Sequence, residues 1–135
     1  MSLTSVLHTG DIGGKPVRFY RSPRQGADFP WHAADDLFLA LSFPRPVRKE
    51  FQRRLKSDHA DDVRTVATPE GIVTIAPHYM AQGAIGAAVE IGCAPTSVEA
   101  RYGVERVKAL NLILAERGIT GAAGIQFAID AARRA

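Results

Sequence analysis

Residues 29–44, FPWHAADDLFLALSFP, carry two hydrophobic periods in succession. Phe29 to Ala33 reads as a short strand. Ala34, Leu37, Phe38 and Leu41 then recur at i, i+3, i+4 and i+7, the spacing that lines one buried stripe of a helix. Asp35 and Asp36 fall in its first turn, where carboxylates stabilise the positive end of the helix dipole. The prolines of FPRP, residues 43–46, end the helix by removing backbone donors and driving the preceding residues out of helical geometry. A strand running into a helix, with further short strands on either side, predicts an α+β fold of small antiparallel hairpins packed against several helices.

Upstream, residues 5–21 read as a hairpin turning in GDIGGK, residues 10–15, with Val17 and Phe19 on one face and Arg18 and Tyr20 on the other. Downstream, residues 63–76 read as a second hairpin, Pro69 and Gly71 standing second and fourth in a type I turn. Pro77 then opens a helix whose stripe is Met80, Ala84, Ala87 and Ile91. Gly83 and Gly86 weaken that helix, which predicts a neighbouring backbone close to it. Thr96 and Glu99 have capping-box spacing and start a long helix running to about Arg117, with Gly118 as its stop. A last helix carries Ile125, Ile129 and Ala132 on one stripe, with Arg133 and Arg134 at its negative end. The C-terminal half is thus mainly helical: residues 1–92 form an α+β part and 93–135 a helical part of the same domain.

The chain has 135 residues, enough for one domain to bury a core without disulfide or metal staples. Its 46% hydrophobic and 23% charged residues exclude a largely disordered chain. With no run of about 18 apolar residues and no cationic, apolar leader, no membrane association is expected, and the cytoplasm is the expected compartment. The single cysteine, Cys93, has no internal partner and agrees with a reducing environment.

The net charge of +3 is unevenly spread. Residues 1–57 hold ten Lys/Arg against five Asp/Glu, and 58–135 hold seven against nine, giving +5 and −2. Much of the excess lies in RPVRKEFQRRLK, residues 45–56, where Val47, Phe51 and Leu55 form a narrow seam at helical spacing. Arg45, Lys49, Arg53 and Lys56 share a neighbouring arc, with Arg48 on one flank and Arg54 elsewhere. Such a face is either a phosphate-binding surface or the solvated side of an ordinary helix.

Other candidate chemistry is weaker. GDIGGK lacks the first Gly and the final Ser/Thr of a phosphate loop. Asp58, His59, Asp61 and Asp62 match neither zinc nor calcium spacing and read as an acidic linker. His32 and His78 are isolated in sequence, and Cys93 has no partner base defined by sequence. The aromatics Phe29, Trp31, Phe38 and Phe43 suit base stacking or a core, and their apolar company favours the core. No catalytic set can be assembled, so an enzyme is not expected, nor is a cofactor or metal; a deep pocket gathering His32, Asp35 or Asp36, and His78 would reverse that reading.

The run GKPVRFYRSP…DFPWHAADDLFLALSF resembles the opening of the Bro-N domain of phage antirepressor-like and viral Bro proteins. The matching positions are Pro30, Trp31, Ala34, Asp36, Leu37 and Leu41, and VRTVATPEGIVTIAPHYMAQ looks like that family's second hairpin leading into a helix. The resemblance covers roughly residues 15–90; Ser42 replaces the family's Gly after the first helix, and its aromatic-Trp-Val helix pattern is missing from 77–91. It implies a domain that binds DNA and regulates transcription of phage or prophage genes. The partner is then double-stranded DNA, gripped through Arg45, Arg48, Lys49, Arg53, Arg54 and Lys56, with Arg18, Arg21 and Arg24 in support. The alternative is an assembly module: the helix over 96–117 is apolar around much of its circumference, which predicts a homodimer joined through Val107, Leu110, Ile113 and Leu114.

Overall fold

Gly13 and Gly14 both take positive φ, 63° and 82°, the geometry of a two-residue hairpin turn whose twist matches that of its strands. They join β1 (His8–Ile12) to β2 (Lys15–Tyr20), paired from His8↔Phe19 to Ile12↔Lys15. Asp11 Oδ1 accepts the Gly14 N–H at 2.9 Å and fixes the turn. Gly10, Asp11 and Ile12 therefore belong to the strand, not to the turn in which the sequence pattern placed them, because two glycines suffice to reverse the chain.

The computed structural model describes residues 2–134. After β2 come β3 (Trp31–Ala33), α1 (Ala34–Ala40), α2 (Arg45–Ser57), β4 (Arg64–Thr68), β5 (Gly71–Ala76), α3 (His78–Glu90), α4 (Ser97–Glu116) and α5 (Ala122–Arg134). The strands form one antiparallel sheet in the order β1-β2-β3-β5-β4. This is an α+β fold with a helical C-terminal half.

Both faces of the sheet are covered. On one, Ile12, Val17 and Phe19 pack with Leu37, Phe38 and Leu41 of the predicted α1 stripe and with Ala81, Ile85 and Ala109 from the later helices. On the other, Tyr20, Trp31, Ala33, Val73 and Ile75 form a smaller cluster flanked by Val6 and Val66. Tyr20 is accordingly buried rather than solvent-facing; the chain before β1 runs beside β4, where the Thr4 N–H donates to Ala67 O at 2.7 Å. The aromatics Phe29, Trp31, Phe38 and Phe43 are all core residues, so no base can stack on them.

Two close approaches lock elements to the sheet. Asp36, in the first turn of α1, accepts three hydrogen bonds from Arg18 of β2: its backbone N–H at 3.0 Å, Nε at 2.8 Å and Nη2 at 3.0 Å. Gly10 of β1 lies under Glu105 of α4, and a Cβ there would sit 2.7 Å from Glu105 Cγ. Burial would raise the Glu105 carboxyl, but Lys108 at 3.2 Å and His8 at 3.5 Å outweigh it and hold its pKa down.

The later helices depart from the predicted stripes. On α3 the buried residues are Ala81, Ala84, Ile85 and Ala88, while Ile91 is exposed. A Cβ on Gly83 or Gly86 would meet nothing within 4 Å, so neither glycine serves a close approach. The capping box does not form: Thr96 already has helical dihedrals and makes no side-chain cap, the Val98 N–H bonding Pro95 O instead. On α5, Phe127 and Ala131 face inward, leaving Ile125, Ile129 and Ala132 outside.

Three helices end in one motif. After α3 the N–H of Gly92 donates to Val89 O and that of Cys93 to Ala88 O; after α4, Gly118 donates to Ala115 O and Ile119 to Leu114 O. After α1 the same pair runs from Ser42 to Leu39 O and from Phe43 to Phe38 O, with the Phe38 and Phe43 rings 6.0 Å apart. This is a Schellman end, which needs a left-handed residue just past the helix. Gly92 and Gly118 supply it readily; Ser42 adopts φ 60° against the preference of a residue with a Cβ. Ser42→Gly should therefore stabilise the protein by about 0.5–1 kcal/mol, read as a rise in Tm of about 2–4 °C. An unchanged or lower Tm would mean that the serine conformation carries no strain.

Candidate nucleic-acid interface

Pro44 precedes α2 and Pro46 occupies its first turn, where a missing N–H costs nothing. Val47 and Phe51 are half-buried and Leu55 is buried, so the seam docks on the α1 side of the core as its spacing predicts; Phe51 stacks on Phe38 at 5.8 Å. The cations are thereby turned outward, but they are not equivalent.

Glu50 divides them. Its carboxylate accepts from Arg53 Nε at 3.1 Å and Nη2 at 2.6 Å and from Arg54 Nε at 3.0 Å. These two guanidinium groups hold the Glu50 carboxyl down at about 2. Arg48 is half-buried, with Nη1 3.5 Å from Phe43 O. Arg45, Lys49 and Lys56 are exposed and, among the described residues, lie within salt-bridge distance of no carboxylate. At about 100° per residue these three share one face within about 40° of arc. Helix α2 carries six Lys/Arg and one Glu, a net +5, which leaves −2 for the remainder of the +3 chain.

The sheet extends this face in a way that local sequence does not reveal. A groove of about 440 Å³ separates Lys49 and Lys56 from Thr65, Ile72 and Thr74 of the β4–β5 hairpin. Thr65 pairs with Thr74 and Ala67 with Ile72 across the hairpin. Arg64 is exposed at the start of edge strand β4 and lines an adjoining hollow with Lys56. Asp35 borders the groove but accepts from Gln52 Nε2 at 3.0 Å. Arg64, Thr65 and Thr74 were missed because only the fold brings them, from both strands of one hairpin, beside α2; no spacing within either strand signals them.

The arginines of the first hairpin and its following loop are not part of this face. Arg18 is held by Asp36, Arg21 pairs with Glu116, and the Arg24 guanidinium lies 5.1 Å from the Trp31 ring centroid. The proposed dimer contacts also separate. Leu110 and Ile113 are buried against Phe29, Phe127 and Ala131, with Leu114 packed at the margin of that cluster. The second cover for α4 is α5 of the same chain, so Leu110 and Ile113 are closed to a partner. Val107 remains exposed.

Asp58, His59, Asp61 and Asp62 lie on the loop between α2 and β4, and Cys93 is half-buried with Sγ 3.5 Å from Ala88 O. His32 and His78, far apart in sequence, both pack on Tyr102: centroids are 6.1 Å apart edge-on for His32 and 5.9 Å apart stacked for His78. Asp36 is turned to Arg18 and Asp35 to Gln52, so the pocket that would gather these carboxylates with both histidines is not formed.

No protein-family model, curated protein or solved structure matches the chain significantly. Of the positions that carry the Bro-N resemblance, Pro30, Trp31, Ala34, Leu37 and Leu41 are buried, and Asp36 is the carboxylate that holds Arg18. They are residues that build the fold. No helix among the described residues is long and apolar enough to cross a membrane.

Burial, then the neighbouring His78, pushes the His32 imidazole down to about 3 against an opposing pull from Asp36. Burial, then Arg106, pushes His78 down to about 4. Between about pH 6.5 and these values the unfolded chain binds protons that the folded chain refuses, so stability falls as the pH falls. Each histidine contributes up to about 1.4 kcal/mol per pH unit in that window. Chemical denaturation between pH 6.5 and 4.5 should show this loss, with a shallower slope for His32→Gln; equal slopes would show that His32 is not held neutral.

Proposed function

We propose that the protein is a DNA-binding regulatory domain that grips the phosphate backbone with the outward face of α2. The observation carrying this reading is the trio Arg45, Lys49 and Lys56, unpaired with any carboxylate among the described residues and bordered by exposed Arg64, Thr65 and Ile72 of the β4–β5 hairpin. A cation already held by a carboxylate loses much of its attraction for phosphate. Arg53 and Arg54, sharing Glu50, are therefore secondary contacts, and Arg48 positions the helix start. The Bro-N resemblance supports the same class of partner, with control of phage or prophage genes as the setting. Phosphate contacts of this kind position a protein without reading sequence, so selectivity must come from groove contacts or DNA shape.

Fluorescence anisotropy with mixed-sequence duplex DNA tests the surface. With three to four phosphates neutralised, log K should fall against log salt with a slope of about −2.7 to −3.6. Lys49→Glu with Lys56→Glu should abolish binding, while Arg53→Glu alone, which leaves the trio intact, should weaken it less. Binding unchanged by the double reversal would reject α2 as the contact.

A second reading, self-association without nucleic acid, is favoured by Val104, Val107 and Leu112, which remain exposed on α4. It ranks second because Lys108 and Asn111 interrupt the apolar surface. Light scattering across a concentration series should give a dimer that Val107→Asp dissociates; a wild-type monomer throughout would end this reading.

A further inference from the structure

Helices α3 and α4 leave between them a groove of about 450 Å³ that shares no lining residue with the α2 face. Its floor is open where two helices usually close: Gly86 and Gly103 line it, and a Cβ on either would meet nothing within 4 Å. One end is lined by His78 of α3 and by Tyr102 and Arg106 of α4. The other end holds Glu90 and Glu99.

The polar groups at the first end are not satisfied by the protein. Tyr102 is 2% exposed, yet its hydroxyl has no hydrogen-bond partner, and the same holds for the buried His78 Nδ1 and Arg106 Nε. His32 Nδ1, edge-on to Tyr102, is a fourth such atom. Buried polar atoms are paired in the great majority of cases, and one orphan is unusual enough to ask for a reason. Here three of the four lie on residues lining one end of the groove, and the His32 and His78 rings both pack on Tyr102.

Arg106 is the group that defines the chemistry. Among the described residues its guanidinium has no salt-bridge partner; it lies 4.6 Å from the Phe29 ring centroid. His78 meets the same ring edge-on at 5.2 Å. Stacking on an aromatic face holds a guanidinium flat while leaving its in-plane donors directed outward, the presentation that receives an oxyanion in two parallel hydrogen bonds. The burial that keeps His78 neutral leaves its imidazole able to donate or accept without adding a second charge.

We propose that this groove binds a small organic anion, its carboxylate or phosphate seated on Arg106 beside His78 and Tyr102 and its remainder lying over Gly86 and Gly103. Glu99 stands seven residues from Arg106, about 10 Å along the helix. The far end of the ligand is therefore neutral or cationic, since a second anionic group there would face Glu90 and Glu99. The sequence hides this site because His78, Tyr102 and Arg106 match no motif, and Gly86 and Gly103 read only as weak points in their helices.

Sodium phosphate and sodium acetate, titrated separately against sodium chloride at matched ionic strength, test the seat by ¹H–¹⁵N NMR of the whole chain. Saturable shifts of the Arg106 Nε–Hε signal and of the Gly86 and Gly103 amides are expected with at least one oxyanion, which also tells carboxylate from phosphate. Shifts confined to Lys49 and Lys56 would belong to α2 and would count against the groove. Arg106→Gln should remove the groove shifts. Gly86→Leu, which fills the floor without deleting a polar group, should weaken binding of the effective oxyanion at least about tenfold. Shifts that stay linear up to about 10 mM, that match chloride, or that persist in Arg106→Gln would overturn the proposal.

Discussion

The sheet is held together by a central strand only three residues long. β3 pairs with β2 through Phe19↔His32 and Tyr20↔Trp31 and with β5 through His32↔Ala76 and Ala33↔Ile75. Every side chain on it is buried. His32 takes part in both pairings, so a charge there would sit at the junction of the two hairpins with no water to stabilise it. The demand that this imidazole stay neutral, and that Trp31 and Ala33 fill the opposite face, ties the first hairpin to the second. Those hairpins in turn set the position of α1, through Arg18 and Asp36, and of α4, through Gly10 and Glu105.

What was legible in the sequence was mostly local. The α1 stripe, the prolines that end α1 and flank the start of α2, the β4–β5 hairpin and the Gly118 stop all follow from spacing or backbone chemistry within a few residues, and all appear. Readings failed where a distant element decided the outcome. Tyr20 lies on the face opposite Val17 and Phe19, as its alternation predicts, but that this face is also covered, by a second cluster, is set by distant residues. Leu110 and Ile113 looked surplus to one chain until α5 folded over them. Gly83 and Gly86 were assigned a close neighbour that is absent, since a missing side chain marks open space as readily as crowding.

The candidate surface was legible in the same partial sense. Helical spacing alone turned the α2 cations outward, and that much was fixed by Val47, Phe51 and Leu55. Which cations keep their charge available depended on one acid, Glu50, whose reach to both Arg53 and Arg54 could be suspected from i+3 and i+4 spacing but not established. The contribution of Arg64 and the threonine pair depended on sheet order, which no local pattern encodes.

The sheet order has a kinetic side. Each hairpin closes over a two-residue turn, whereas the His32↔Ala76 pairing must bring together residues separated by the whole of α1, α2 and β4. Loop closure of that length costs conformational entropy before any native contact rewards it, and non-local pairing of this type slows folding. That cost favours early formation of the two ribbons and α1 and late formation of the junction at β3. Until it forms, Trp31 and the inner edge of β5 stand uncovered, which makes the half-assembled sheet the species most exposed to pairing with another chain during synthesis.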